Sequence, residues 1–155
     1  MTQMSELCLR LRERWVSRGI PVNAGASAET IARLEERLGV CLPEALKVYL
    51  RVVNGMAPTG WDGDMMSFWG DQKILDEFSS RSSKDPYVFV PIADYSIDAW
   101  AWVMPINGGR VSDAVHTFGP PLAQCRSSLS EFIESYLAGE NLEPVILEAG
   151  VVTWR

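Results

Sequence analysis

Two hydrophobic periodicities occupy separate parts of this chain. Apolar spacings of three and four residues, typical of amphipathic helices, fill the first third up to Gly55 and return once after Ser128. Alternation with a period of two, typical of strands, fills the middle, and Trp102 and Met104 share one face of its clearest example, Ile97–Met104. Alternating βαβ units would interleave the two patterns. The sequence therefore predicts an α+β fold, with helices segregated to one face or end of a mostly antiparallel central sheet.

Local signals predict where the elements begin and end. Ser27 and Ser128 are suited to cap helices, and Glu131 completes a capping box with Ser128. Gly39 is suited to end the second helix in the left-handed conformation, and Pro43 to open the third. The predicted elements are helices ending at Gly19, Gly39 and Asn54, a strand Asp64–Trp69, a helix Asp71–Phe78, strands Tyr87–Ala93 and Ile97–Met104, a turn Asn107–Gly109, a strand Val111–Phe118, a helix from Ser128 to Gly139, and a strand within Pro144–Trp154.

The length and the apolar content predict a single domain over residues 1–155. A chain of 155 residues with 47% apolar residues buries enough surface to fold without disulfides or a structural metal. The three cysteines are odd in number and widely spaced, which is typical of reduced thiols in a cytoplasmic protein. Much of the core is expected to come from Leu34, Leu38, Leu42, Leu46, Tyr49, Leu50, Ile92, Phe132 and Ile133.

The charge balance excludes some partners and favours others. The formal net charge is −6, whereas proteins that track nucleic-acid phosphates need a basic stripe. No apolar stretch is long enough to cross a bilayer, and Met1–Arg14 carries too many charges for a signal peptide. We therefore expect a cytoplasmic protein with no nucleic-acid or membrane partner, and a basic protein is the more natural ligand.

No catalytic or cofactor motif stands out. The phosphate-binding loop, the dinucleotide fingerprint, the hydrolase elbow and the zincin helix are all missing, so we expect no enzyme, no cofactor, no zinc and no bound nucleotide. His116 is the only imidazole. A small hydrolase that pairs His116 with Cys125 or a nearby serine remains an alternative of another class, because triads are recognised by geometry rather than by spacing.

Tryptophans and carboxylates are concentrated in the middle third. Tryptophan is enriched at binding hot spots, and carboxylates around it would select a basic partner. At least two of the four tryptophans between Trp61 and Trp102 are expected in the core. The sequence predicts a partner-binding face on Trp61 to Asp71 together with the turn Asp94 to Asp98; the acidic stretch Glu140–Glu148 is the alternative. The predicted site residues are Trp61, Asp62, Asp64, Trp69, Asp71, Asp94, Tyr95 and Asp98.

Three segments resemble a known family. Ile31 to Gly55 is similar to the pattern I..LE..LG..LP..LK.YL...NG of the SUKH superfamily, which contains a yeast cell-wall assembly regulator and many bacterial toxin-immunity proteins. Val90–Tyr95 resembles the family segment fPFADYG, and Ser128–Leu137 resembles the closing helix SFeeFL. The segments keep the family order over residues 31–137. The chain departs from the pattern at Ser96 and Ile97, where the family commonly has glycines.

The resemblance implies a non-enzymatic binding protein. It implies most often an intracellular immunity protein that binds and neutralises a toxin, and a basic nuclease toxin would suit the acidic charge of this chain. A regulatory adaptor of the same fold without a toxin is the alternative within the family. A gene for a basic toxin beside this one would favour immunity, and loss of a detected activity in His116→Ala would favour the hydrolase.

Overall fold

The computed structural model describes residues 2–58, 60–80, 89–96, 100–118, 123–142, 144–146 and 152–154. These residues form five helices and eight strands in the order that α+β segregation predicts. The helices are α1 Gln3–Ser17, α2 Ala28–Leu38, α3 Glu44–Val52, α4 Asp71–Ser80 and α5 Leu129–Leu137. The strands are β1 Met66–Phe68, β2 Phe89–Tyr95, β3 Trp100–Asn107, β4 Arg110–Val111, β5 Val115–Phe118, β6 Ala123–Arg126, β7 Pro144–Ile146 and β8 Val152–Trp154.

The central sheet is antiparallel throughout its described part. Its strands run in the order β1-β2-β3-β5-β6, and β4 pairs with β3 through the turn at Asn107–Arg110. Strands β7 and β8 form a separate two-stranded sheet. The turn after β3 is fixed to the connection between α2 and α3, because Cys41 N donates to Gly109 O and Val111 N donates to Cys41 O. The predicted α+β fold is confirmed.

An aromatic cluster joins the helices to one face of the sheet. The ring of Trp15 in α1 lies 5.0 Å from that of Phe68 in β1, between ring centroids. Phe68 also contacts Tyr136 and Phe132 of α5, at 4.8 Å and 5.9 Å. Phe132 in turn lies 6.0 Å from Trp102 of β3. Helices α1 and α5 therefore pack on the sheet face that carries Phe68 and Trp102.

The core and most helix ends agree with the sequence predictions. All nine predicted core residues are buried in one cluster. Ser27 accepts a hydrogen bond from Thr30 N, and Gly39 ends α2 with φ +67°. Pro43 lies one residue outside α3, as its N-cap. Ser128 caps α5, but Glu131 binds the backbone N–H and the hydroxyl of Ser127 instead of closing the predicted box with Ser128.

The strand predictions are less accurate. The predicted strand Val111–Phe118 is divided between β4 and β5. The pairing is interrupted because the Ser112 N–H donates to Pro105 O and the Ala114 N–H donates to the Ser112 hydroxyl. Strand β6 was not predicted, since Ala123–Arg126 is only four residues long and contains none of the β-branched or aromatic residues that are enriched in strands. The predicted strand Ile97–Met104 extends three residues further, to Asn107; its first three residues, 97–99, lie outside the described ones.

Candidate functional site

The residues of the first family segment converge on the connection between β1 and α4. The Tyr49 hydroxyl donates to Trp69 O at 2.7 Å. The Asn54 side chain accepts from Asp71 N at 2.9 Å and donates to Asp71 Oδ1 at 3.0 Å. Asp71 thus opens α4 in a two-point contact with Asn54, which is itself buried. Tyr49, Asn54 and Asp71 position the backbone, and their polar groups are used inside the protein.

Two glycines allow the backbone segments to touch there. A Cβ on Gly55, which has φ +74°, would lie 2.4 Å from Trp69 C and 2.5 Å from Gly70 N. A Cβ on Gly70 would lie 2.2 Å from Asn54 O. All three neighbours are backbone atoms, which cannot move aside as a flexible side chain can. The Asn-Gly end of the family pattern is therefore needed for this backbone contact.

Trp69 and Asp94 belong to a buried cluster rather than to an exposed face. Trp69 is 3% exposed, and its Nε1 donates to Asp94 Oδ2 at 2.6 Å. Lys73 Nζ reaches the same oxygen at 3.1 Å and lies 4.6 Å from the centroid of the Trp69 ring. The charge of Asp94 is balanced inside the fold. The prediction that Trp69 and Asp94 lie on an exposed partner-binding surface is corrected here: both side chains join α4 to the sheet.

Asp62 is also buried, and it fixes the loop Asp62–Met66. One carboxylate oxygen of Asp62 accepts from Asp64 N and Met66 N, both at 2.8 Å. The other accepts from the Tyr136 hydroxyl at 2.7 Å, and that hydroxyl accepts from Trp15 Nε1 at 3.1 Å. Asp62 is 8% exposed, so its predicted place on the exposed surface is corrected in the same way. Its carboxylate holds the loop against α1 and α5.

Asp62→Ala is expected to lower the free energy of unfolding by about 3 kcal/mol or more, since it leaves three donors without their acceptor and each buried unsatisfied donor costs roughly 1–3 kcal/mol. Urea unfolding measures the loss. The control is Asp64→Ala on the same loop, whose exposed side chain predicts a change within about 0.5 kcal/mol. Equal losses in the two variants would contradict the structural role of Asp62.

The loop presents strained backbone at its tip. Met65 has φ +64° and its side chain is 44% exposed. Ser96, after β2, has φ +49°, and its N donates to Met65 O at 3.0 Å. Left-handed residues other than glycine cost of order 1 kcal/mol each and cluster at functional sites. Ser96 thus adopts the conformation that glycine favours, although the residue is not glycine; Ile97 lies outside the described residues.

A groove of about 520 Å³ lies beside this tip. Its lining comes from the loop Asp62–Met66, from the ends of α1 and α5, and from Tyr95 and Tyr136. Of the predicted site residues, Asp62, Asp64 and Tyr95 meet at this groove. The groove also has Arg14 and Arg18 in its lining. The sequence prediction missed these two arginines because their spacing of four residues is equally typical of a solvated helix face.

The remaining predicted site residues are dispersed. Trp61 is half-buried next to the loop. Asp71 borders a second groove of about 460 Å³, which lies between α2 and α4. Asp98 lies outside the described residues. Of the alternative acidic stretch, Glu140 lines the first groove and forms an ion pair with Arg126 at 3.3 Å, whereas the side chains of residues 143–148 are not described.

The geometry does not bring His116 and Cys125 together. His116 alternates along β5 with Val115, which lies in the core that the helices cover, so the imidazole is on the opposite face of the sheet. Cys125 is buried in that core, and burial raises the pKa of its thiol to about 11. Burial lowers the pKa of His116. A nucleophile of this pKa is protonated at neutral pH, and the imidazole that could activate it lies across the sheet.

No described helix is both long and apolar enough to span a bilayer. Within the same residues, no three His, Cys, Asp or Glu side chains form a group that could hold a metal ion.

Comparison with known proteins identifies the family. No curated protein matches the chain. The profile of the SMI1 / KNR4 family (SUKH-1) matches residues 25–135, a range that contains the whole central sheet and the convergence of Tyr49, Asn54 and Gly55 on the end of β1. This agrees with the resemblance of the three sequence segments. Because the match covers more than two thirds of the chain, the protein belongs to the SMI1 / KNR4 family (SUKH-1).

Proposed function

We propose that this chain is a non-enzymatic, cytoplasmic immunity protein that binds and neutralises a bacterial toxin. Membership of the SUKH family supports a binding module of the immunity or regulatory kind. The net charge of −6 favours a basic toxin, and nucleases are toxins of that kind. The observation that carries the proposal is the fixed, exposed tip Gly63–Met65 beside the groove.

The tip has the properties of a preformed contact. An exposed methionine supplies apolar surface that fills irregular pockets on a partner. The Asp62 hydrogen bonds hold Met65 in its left-handed conformation before any partner binds. A preorganised loop loses little conformational entropy on association, so more of its contact energy remains as affinity. The neighbouring Asp64 carboxylate is exposed and suited to meet a basic group.

Several observations favour a binding role over catalysis. The first groove is lined by arginine, carboxylate and tyrosine groups, but the carboxylate of Asp62 already accepts three hydrogen bonds within the fold. It is therefore not available as a general base. The alternative hydrolase needs His116 beside a nucleophile, and Cys125 lies on the other face of the sheet.

Met65→Asp is expected to weaken binding to the toxin encoded by the adjacent gene by at least about tenfold, a loss of about 1.4 kcal/mol, because it puts a charge into an apolar contact. Titration calorimetry measures the change. Val16→Asp is the matched control, since Val16 is 56% exposed on α1, on the other side of its buried stripe from Arg14 and Arg18. It should leave the affinity unchanged.

Two outcomes would count against the proposal. Equal affinity of the wild type and Met65→Asp for the toxin would remove the tip from the interface. Failure of the wild type to bind the toxin, together with failure to protect cells that express it, would leave the regulatory adaptor of the same fold as the function. Salt provides a second measure: if Asp64 steers a basic toxin, raising the ionic strength slows association of the wild type towards that of Asp64→Lys.

A further inference from the structure

The charges at the first groove differ from those that the sequence predicts. Asp62 accepts hydrogen bonds from Tyr136, Asp64 N and Met66 N, and Glu140 is paired with Arg126. The carboxylate of Glu140 is thus held by a cation, and that of Asp62 by three uncharged donors. Asp64 is the carboxylate in the described lining that keeps an exposed side chain with no partner among the described residues.

Two arginines in the lining of the groove are available for binding. Arg14 and Arg18 lie one helical turn apart at the end of α1. Trp15, which comes between them in the sequence, is buried in the core and anchors this end of the helix. Neither guanidinium has an ion-pair or hydrogen-bond partner among the described residues. Both arginines line the groove together with Tyr136, whose pKa is raised by burial and by the hydrogen bond to Asp62.

We infer that this groove binds an acidic segment of the partner protein, with Arg14 and Arg18 pairing its carboxylates. Guanidinium groups bind carboxylates with two parallel hydrogen bonds, and such pairs are stronger where water is partly excluded. The volume of about 520 Å³ lies within the usual range of binding pockets. The inference rests on the proposed function only for the identity of the partner, which is basic overall but presents carboxylates here.

A protein segment fits this groove better than a nucleic acid does. A nucleic acid carries a continuous row of phosphates, of which two arginines can meet only a few, and it has no cation for Asp64 in the same lining. A protein segment can place a carboxylate at Arg14 and Arg18 and a cation at Asp64, which lines the same groove. The mixed charge of the lining therefore discriminates between partner segments by the order of their acidic and basic residues, which a purely acidic surface would not do.

Hexaglutamate peptide at low salt is the probe, and no toxin is needed. The Trp15 indole N–H bonds to Tyr136 at the groove, so its NMR resonance reports occupancy. We expect a saturable shift in the wild type, and binding weaker by at least about tenfold in the double variant Arg14→Gln/Arg18→Gln. The matched control is Arg33→Gln/Arg37→Gln, which removes two exposed arginines with the same spacing from α2. It should bind hexaglutamate as the wild type does.

Each other outcome overturns the inference. These are no saturable shift in the wild type, unchanged binding in Arg14→Gln/Arg18→Gln, equal weakening in both double variants, or a saturable shift with hexathymidylate in place of hexaglutamate. Thermal unfolding of both double variants confirms that the fold is intact. The two proposals fail separately: toxin binding without hexaglutamate binding rejects the acidic segment alone, and hexaglutamate binding without toxin binding rejects the immunity function alone.

Discussion

Gly55→Ala is expected to lower the free energy of unfolding by more than about 4 kcal/mol, a loss that few single substitutions reach. The new Cβ would lie 2.4 Å from the carbonyl carbon of Trp69 and 2.5 Å from Gly70 N, so one of the two backbone segments must move. That movement breaks the bonds that Tyr49 and Asn54 make to the same connection. The positive φ of +74° adds roughly 1–2 kcal/mol.

The variant Gly39→Ala separates the cost of the backbone clash from the cost of the positive φ. Gly39 has a similar φ of +67°, but a Cβ there would meet nothing within 4 Å. We expect a loss of roughly 1–2 kcal/mol, from the backbone conformation alone. Urea unfolding of the two variants measures the difference, which is the cost of the backbone contact. Similar losses would show that α3 and the end of β1 can separate without consequence.

Phe132→Ala is expected to cost about 3–5 kcal/mol, because it removes a fully buried ring that contacts Phe68 and Trp102 and joins α5 to the sheet. Thermal and urea unfolding report the change. Phe118→Ala is the control: its ring is 45% exposed and contacts Phe89 at 4.6 Å, so a loss of about 1 kcal/mol or less is expected. If the control lost as much as Phe132→Ala, the placement of the core on the helical side of the sheet would be wrong.

The sequence predicts the helices well because their signals are local. Ser27 binds a backbone N–H three residues away, and Gly39 ends α2 through its own backbone conformation. The core was also predictable, since a buried stripe repeats at the helical period. The ends of the strands were less predictable from the sequence. Where β4 ends depends on Pro105 O, which takes the N–H of Ser112 across the turn, and nothing near Ser112 in the sequence indicates that bond.

The site was harder to predict because its partners are distant in sequence. Asp62 looks like an exposed turn residue between Trp61 and Gly63, and its burial depends on a hydroxyl 74 residues away, that of Tyr136. The burial of Asp94 likewise depends on Trp69 and Lys73. A carboxylate in a turn is usually solvated, so the local pattern favoured the wrong environment. The predicted roles of Trp61, Asp64 and Tyr95 in partner binding stay predictions.

The contacts around the end of β1 also bear on how the chain unfolds. Helices and strands are separated along the sequence, yet the Tyr49 hydroxyl at α3 donates to Trp69 O, and Asn54 exchanges two hydrogen bonds with Asp71. If the first three helices opened alone, these buried donors and acceptors would lose their partners on both sides of the break. Opening of the first three helices therefore also destabilises the sheet, and opening of the sheet destabilises the helices. We expect the helical third and the sheet to behave as one cooperative unit despite their division in the sequence.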